Sequence, residues 1–210
     1  TGVVTGLAAG TANITAASKA DASKTATQSI TVSRGTIAPD TAWYTGNESA
    51  ASYDLTTRAQ LAGLASLVNG NTTFSGKTIR LTADIDLRGG TCGWLPIGAS
   101  SADAFMGTFD GQGHSITGLF VSGDAEYQGL FGVIADSPSG TGKGTPIPNS
   151  GHVKNLVVTG DVTGGKNVGI IAGAVIKFGE TTPIIENCLV MGSATGTDNV
   201  GGIVGLNTGY

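Results

Sequence analysis

The C-terminal third of this sequence repeats itself at an interval of 32 residues. Residues 153–173 read VKNLVVTGDVTGGKNVGIIAG, and residues 185–205 read IENCLVMGSATGTDNVGGIVG. A looser copy lies over residues 116–132. Self-similarity at a fixed interval of this size is the signature of a stacked array of structural units. Because the copies are short, β-branched and interrupted by Gly and Asn, we expect the stacked unit to consist of strands.

Two pairs of asparagines occupy matching places in the repeat, Asn155 with Asn187 and Asn167 with Asn199. Side chains at equivalent positions of stacked coils lie above one another, and amides in such columns bond to each other and to the neighbouring backbone. The sequence therefore predicts asparagine ladders with a structural role. Glycines that recur at fixed places indicate corners that need a positive φ or a close backbone approach.

Composition limits the classes of function. Gly makes up 35 of 210 residues, charged residues are 12% and hydrophobic residues are 40%, which indicates a folded chain rich in short strands and turns. With a net charge of −4 and no Lys/Arg cluster, a nucleic-acid partner has no electrostatic basis. No apolar run reaches the ~18 residues of a membrane span, so we expect no membrane insertion. We read the chain as a piece of a longer protein.

Residues 1–34 form a first unit with three candidate strands, over residues 3–7, 12–16 and 29–33. Its stretch GVVTGLAAGTANITAAS, followed by ATQSITVS, resembles the second half of a bacterial immunoglobulin-like domain of group 2. The resemblance covers about 30 residues, whereas a complete sandwich needs roughly 100. It implies a partial Ig-like β unit that pairs with something else, either another chain by strand complementation or the missing half of the domain.

Residues 35–53 are predicted to be a linker, and the only convincing helix follows it. Leu61, Leu64, Ala65 and Val68 form an apolar stripe at helical spacing. Residues 57–60 fit a capping box, and residues 69–70 fit a left-handed stop. We expect this helix, over about residues 56–69, to cap the N-terminal end of the array. After it, strict alternation over residues 79–87 predicts one half-buried strand.

Several ordered motifs carry a second resemblance. They are LTADIDL at 81–87, WLPIG at 94–98, FMGTFDGQGHSI at 105–116, GLFG at 129–132, NVGIIAG at 167–173 and NVGGIVG at 199–205. Over about residues 55–208 the chain resembles the GLUG-repeat family of bacterial surface proteins. The resemblance implies right-handed parallel β-helices, found in adhesin-like proteins and outside the catalytic part of some immunoglobulin A peptidases. It implies no catalytic residues.

The fold that we predict is therefore all-β. A right-handed parallel β-solenoid, or β-helix, extends over residues 54–210, with one N-terminal capping helix and a partial Ig-like β unit in front of it. Cys188 occupies the repeat position of Leu156, so we expect a buried free thiol there rather than a disulfide with Cys92.

Acidic residues between 84 and 110 offer two chemical readings. Asp84, Asp86, Asp103 and Asp110, with His114 nearby, leave open a glycosidase or lyase site built on paired carboxylates, or a Ca²⁺ site. Solvated faces and turns explain these residues adequately, since no calcium-loop motif is present. His114 and His152 are the only histidines and both precede a strand, so a zinc site is not expected. We predict no catalytic residue, no metal and no cofactor.

Candidate ligand-binding residues come from exposed aromatics and a long loop. Trp43 and Tyr44 lie in the predicted linker, where exposure and packing on the cap helix both stay open. Lys143 lies in the Pro- and Gly-rich insertion over residues 137–151. Trp94 is expected to be buried where a coil turns.

The leading hypothesis is a non-catalytic segment of an extracellular, bacterial cell-surface protein. It would act as a structural stalk or as an adhesion module that binds a host glycan or an extracellular-matrix protein. Two alternatives stay open: a carbohydrate-active enzyme or carbohydrate-binding part on the same scaffold, and an accessory region of a surface peptidase.

Overall fold

The structure is a computed structural model that describes residues 10–32, 35–88, 92–137 and 150–209. Over these residues the chain is all-β apart from one α-helix, α1 (Arg58–Val68), and a single 3-10 turn at Ser101–Asp103. The strands are β1 Gly10–Ala17, β2 Thr25–Val32, β3 Gly35–Thr36, β4 Ser52–Leu55, β5 Thr78–Leu81, β6 Ile85–Asp86, β7 Cys92–Gly93, β8 Thr108–Asp110, β9 Ser115–Val121, β10 Phe131–Ala135, β11 His152–Thr163, β12 Lys166–Gly169, β13 Ala172–Ile176, β14 Ile184–Thr195, β15 Asp198–Gly201 and β16 Val204–Asn207.

Strands at the repeat interval pair in parallel. β11 pairs with β14 from His152↔Ile184 to Thr163↔Thr195, and the same 32-residue offset aligns β12 with β15 and β13 with β16. On its opposite edge β11 pairs with β8 and then with β9. β11 thus lies within a seven-stranded sheet of order β4-β5-β8-β11-β9-β6, with β14 added to β11. The prediction that the repeated segments are stacked strands is confirmed.

The core is built from the inward-facing residues of the strands, together with the buried face of α1. In β11 Val153, Leu156, Val158 and Val162 are at most 1% exposed. Their register partners in β14 are Ile185, Cys188, Val190 and Ala194, which pack against the core but stay half-buried. Cys188 thus occupies the inward position of the repeat, and it forms no disulfide with Cys92. The full burial expected of Cys188 was wrong, because no described strand covers β14 on its outer edge.

Helix α1 begins as its sequence predicts. The Thr57 hydroxyl accepts from the Gln60 N–H, and the Gln60 side chain accepts from the Thr57 N–H, completing a capping box. The predicted left-handed stop at residues 69–70 was wrong: Asn69 is right-handed with φ −67°, and the left-handed residue is Asn71 with φ 72°. The side chain of Asn69 bonds to Pro96 O and Ala99 N–H, which holds this residue in the last helical turn.

The single strand expected over residues 79–87 is two strands. β5 pairs with β4 and β8, whereas β6 pairs with β9, so the chain changes partner between them. Ile79, Leu81, Ile85 and Leu87 are buried as the alternation predicts, but Ala83 is half-exposed. The break between β5 and β6 is stabilised by a contact with a distant segment: the Asp84 carboxylate accepts a hydrogen bond from the Ser115 N–H at 2.8 Å.

The N-terminal unit is an antiparallel hairpin of β1 and β2, with register Gly10↔Val32. Every residue of β1 is exposed, and two pairs of threonine hydroxyls link the strands. The candidate strand at residues 3–7 lies outside the described residues, as do residues 33–34. The stretch 35–53 is more than a plain linker: β3 pairs with β7, and Asp40 N–H donates to Ala59 O of the helix.

Candidate functional site

A column of alternating charge crosses the outer face of the seven-stranded sheet. The parallel register aligns one outward position of five strands, in the order β4, β5, β8, β11 and β14. The residues at this position are Asp54, Arg80, Asp110, Lys154 and Glu186. Each carries the opposite charge to its neighbour on the next strand, and opposite charges directly across a strand pair stabilise a sheet. We call this column the charge ladder.

Ion pairs join neighbouring strands along the charge ladder. Arg80 Nε lies 2.8 Å from Asp54 Oδ1, and Lys154 Nζ lies 3.7 Å from Asp110 Oδ2. The first pair is well exposed, so its contribution to stability is small. The Asp110 side chain is only 12% exposed, and this makes it the most enclosed charge of the ladder.

Asp110 is held in its charged form by the groups around it. Partial burial raises the pKa of its carboxyl, but several partners outweigh that effect. The side chain of Asn155 donates to Oδ1 at 3.0 Å, as does the Gln112 N–H, and the Lys154 charge is nearby. The net result is a pKa below the ordinary value, so this carboxylate is an ionised structural acceptor and is poorly suited to act as a general acid.

Two asparagine ladders run through the repeat, as the sequence predicts. Asn187 Nδ2 donates to Asn155 Oδ1 at 3.2 Å, and Asn199 Nδ2 donates to Asn167 Oδ1 at 2.9 Å. All four residues have a φ between 50° and 59°. Asparagine tolerates this left-handed conformation better than most residues and can also bond along the column. The repeated Asn therefore serves the backbone turn and the stacking together.

The acidic residues considered for catalysis do not form one cluster. Asp84 accepts from Ser115 N–H and lies 3.3 Å from His114 Nδ1, and the backbone hydrogen bond in particular lowers its pKa. Asp86 accepts from Arg88 N–H, whereas Asp103 accepts from the Ser100 hydroxyl. No group of three His, Cys, Asp or Glu side chains that could hold a metal ion occurs within the described residues.

The two histidines each pair with a carboxylate on the outer face. His152 Nε2 lies 2.9 Å from Glu186 Oε1, one strand away and diagonal to the charge ladder. His114, just before β9, similarly lies beside Asp84, just before β6. Both pairs link neighbouring strands, which agrees with the structural role that the sequence favours for these histidines.

Trp43 and Tyr44 are half-buried in an aromatic cluster and do not form an exposed platform. Their rings lie 5.9 Å apart, and both contact Tyr53 and Phe74 at 5.2–6.0 Å. Trp43 Nε1 donates to Asp40 O at 2.8 Å. The sequence left open whether Trp43 is exposed or packed against the cap helix, and the structure places it half-buried among Tyr44, Tyr53 and Phe74. Lys143 lies outside the described residues.

An apolar cavity of about 540 Å³ opens beside α1. Its walls include Ile37, Ala62, Ala65, Trp94 and Leu95, of which Leu95 is 60% exposed. Trp94 is buried, as predicted, and its Nε1 donates to Leu130 O at 3.0 Å. Sequence reasoning missed the cavity, because its walls come from three separate segments.

Sequence reasoning also missed the charge ladder. Its members are 26, 30, 44 and 32 residues apart, so a search at one fixed interval aligns only the last two. A usable signal was present nonetheless: each charged residue directly follows an apolar residue in its strand. None of the helices described in the structure is long and apolar enough to cross a membrane.

Comparison with known proteins finds no matching family model. Over 185 residues the chain is 31% identical to halomucin from Haloquadratum walsbyi, an alignment that covers 79% of this chain and 2% of halomucin. Over 117 residues it is 35% identical to a protein of Evansella cellulosilytica provisionally named a Gly-rich membrane protein, covering 53% of this chain and 12% of that protein. The chain thus spans a small part of both relatives.

A solved structure also resembles the chain. It is a protein from Bacteroides ovatus provisionally assigned as an immunoglobulin A1 protease, with a TM-score of 0.45 and 21% identity. The match covers 74% of this chain and 62% of that structure.

Proposed function

We propose that this chain is a non-catalytic segment of an extracellular cell-surface protein, serving as a structural stalk or as an adhesion module. In this proposal residues 54–210 form a right-handed parallel β-solenoid of the GLUG-repeat type, capped by α1. Residues 1–34 are the trailing strands of an Ig-like domain of group 2. A host glycan or an extracellular-matrix protein is the proposed ligand class of the adhesion module.

One observation carries the proposal: three successive strands pair in parallel with the strands found 32 residues later. In such an array each repeat contacts only its neighbours, so the protein can become longer by adding repeats while the packing of the existing ones stays the same. This property suits a spacer. The outer face supports the same role. Its charges link neighbouring strands, as Lys154 does with Asp110, and the asparagine columns link the repeats elsewhere, as Asn199 does with Asn167.

The relatives add support of a general kind. One is named halomucin and the other carries a membrane-protein name, and each is far longer than the segment that it shares with this chain. A segment that makes up a small part of such long chains fits a spacer or a display module. The stalk and adhesion roles differ in one respect, which is whether the outer face recognises a ligand.

The stalk architecture is tested by adding one coil. Residues 153–184 would be duplicated between Ile184 and Ile185, so that the insert matches the 32-residue interval of the register. We expect a folded protein whose maximum dimension in small-angle scattering grows by about 5 Å, one strand spacing. A control insertion of 32 shuffled residues should form no additional strand. Loss of cooperative unfolding in the duplicated protein, or growth unrelated to one spacing, would contradict the solenoid.

The adhesion role is tested by binding of the whole chain to arrays of glycans and matrix proteins. The variant Arg80→Glu probes the outer face, since it reverses an exposed charge while leaving the buried core untouched. A ligand that binds with a micromolar Kd, and more weakly to the variant or to a chain lacking residues 138–149, supports adhesion. A blank array with a demonstrably folded protein leaves the stalk role alone.

A further inference from the structure

The last coil exposes side chains that are fully buried one coil earlier. Val200 and Ile203 are 44% and 43% exposed, whereas Val168 and Ile171, at the same repeat positions, are 0% exposed. The outer edge of β14 has no strand partner among the described residues, although its inner edge is paired along its length. This end face, formed by β14, β15 and β16, is therefore an open sheet edge backed by an apolar surface.

The charge ladder ends on this face with a negative charge. Glu186 is the fifth member, and its side chain is 55% exposed. The four preceding members alternate in sign without exception, so a strand that continued the pattern would place Lys or Arg opposite Glu186. A strand with Asp or Glu there would set like charges directly across a pair, which destabilises a sheet.

The asparagine ladders end there as well. Asn187 and Asn199 each donate their amide to the coil before them, and no described residue donates to their own Oδ1 atoms. An asparagine on an added strand would complete each column through the contact that already joins the coils. The exposed edge thus specifies the register of an incoming strand at two separate points.

We propose that the end face binds a parallel β-coil whose first strand carries Lys or Arg opposite Glu186 and Asn opposite Asn187. Main-chain hydrogen bonds would supply affinity and the side-chain columns would supply register, as in β-strand addition. β11 has this pattern, Lys154-Asn155, whereas β14 itself reads Glu186-Asn187. A coil of the β11 type therefore fits the face, and an unchanged copy of the last coil does not. This goes beyond the stalk or adhesion role and uses only the strand register.

The test extends the whole chain by one coil. After Gly209 the protein receives a copy of residues 178–183 and then a copy of residues 152–176, which places the copied Lys154 opposite Glu186. A second protein carries Glu at that copied position, and both are also made with Glu186→Lys. The unextended Glu186→Lys protein measures the loss of the His152 pair together with the new like charge opposite Lys154. Glu180→Lys on the preceding loop controls for net charge.

We expect hydrogen exchange of the β14 amides to slow when the coil with Lys is added. Replacing that Lys by Glu should reduce the folded-to-unfolded ratio by about two- to fivefold, and Glu186→Lys should restore it in the coil that carries Glu. If Glu186→Lys restores the stability lost when the added coil carries Glu, the two side chains form the proposed pair. A purely structural effect of either substitution would not depend on the charge at the other position. Equal stability of all four extended proteins, or unchanged exchange of β14 in every one of them, would overturn the proposal.

Discussion

Ile171 and Ile203 provide a matched measurement of what one covering repeat contributes to stability. Both are isoleucines at the same position of successive repeats, yet Ile171 is 0% exposed and Ile203 is 43% exposed. Truncation to Ala removes three carbon groups, or about 2.4 kcal/mol of transfer free energy at ~0.8 kcal/mol per group. At Ile171 a cavity term adds to this loss, so we expect Ile171→Ala to lower the unfolding free energy by about 3–4 kcal/mol.

Ile203→Ala should lower the unfolding free energy by only about 1–1.5 kcal/mol. Roughly three-fifths of that side chain is removed from water, and solvent reaches the space left by truncation, so no closed cavity forms. Urea unfolding at constant m-value measures both changes. Equal losses at the two positions would refute the exposure of the end face. Repeating the urea unfolding over a range of protein concentrations would show whether self-association buries the end face.

Three further predictions concern two backbone positions of the repeat, at Asn167 and Gly160, and the charge ladder at Asp110. Asn167→Ala should cost about 2 kcal/mol of unfolding free energy, because Ala is strained at φ 59° and the ladder bond is lost, whereas Asn167→Gly should cost about half as much. Gly160→Ala should unfold at clearly lower urea than Gly123→Ala, since the two share a φ near 155° but only at Gly160 would a Cβ overlap the backbone of Leu119. Because the pKa of Asp110 is lowered, its contribution is present at neutral pH and is lost as pH falls below about 4; urea midpoints at pH 7 and pH 3 should therefore differ less in Asp110→Asn.

The helix shows how far local sequence signals reach. Its start follows from Thr57 and Gln60 alone, because a capping box closes within four residues. Its end depends on Asn69, whose side chain bonds to Pro96 and Ala99 nearly thirty residues away. No local pattern carries that information, and so the position of the left-handed residue could be settled only by the folded chain.

The candidate surface divides in the same way. The asparagine ladders were predictable because their members recur at one interval, and a fixed interval converts directly into stacking. The charge ladder was not, because insertions of different length separate its members, and only the pairing of strands brings them into line. The same holds for Trp43, whose half-buried position depends on Tyr53 and Phe74.

The sequence by itself determined that the chain is built of strands, where its repeated corners lie and which residues face inward. These properties follow from a two-residue side-chain period and from the backbone demands of Asn and Gly, which act over a few neighbouring residues. The tertiary structure alone decided which strands meet, which charges face one another and which strands keep an uncovered edge. Those outcomes depend on contacts between segments that are distant in the sequence. The free-energy cost of closing a loop changes little with its length, so the fit of side chains across a strand pair selects the register.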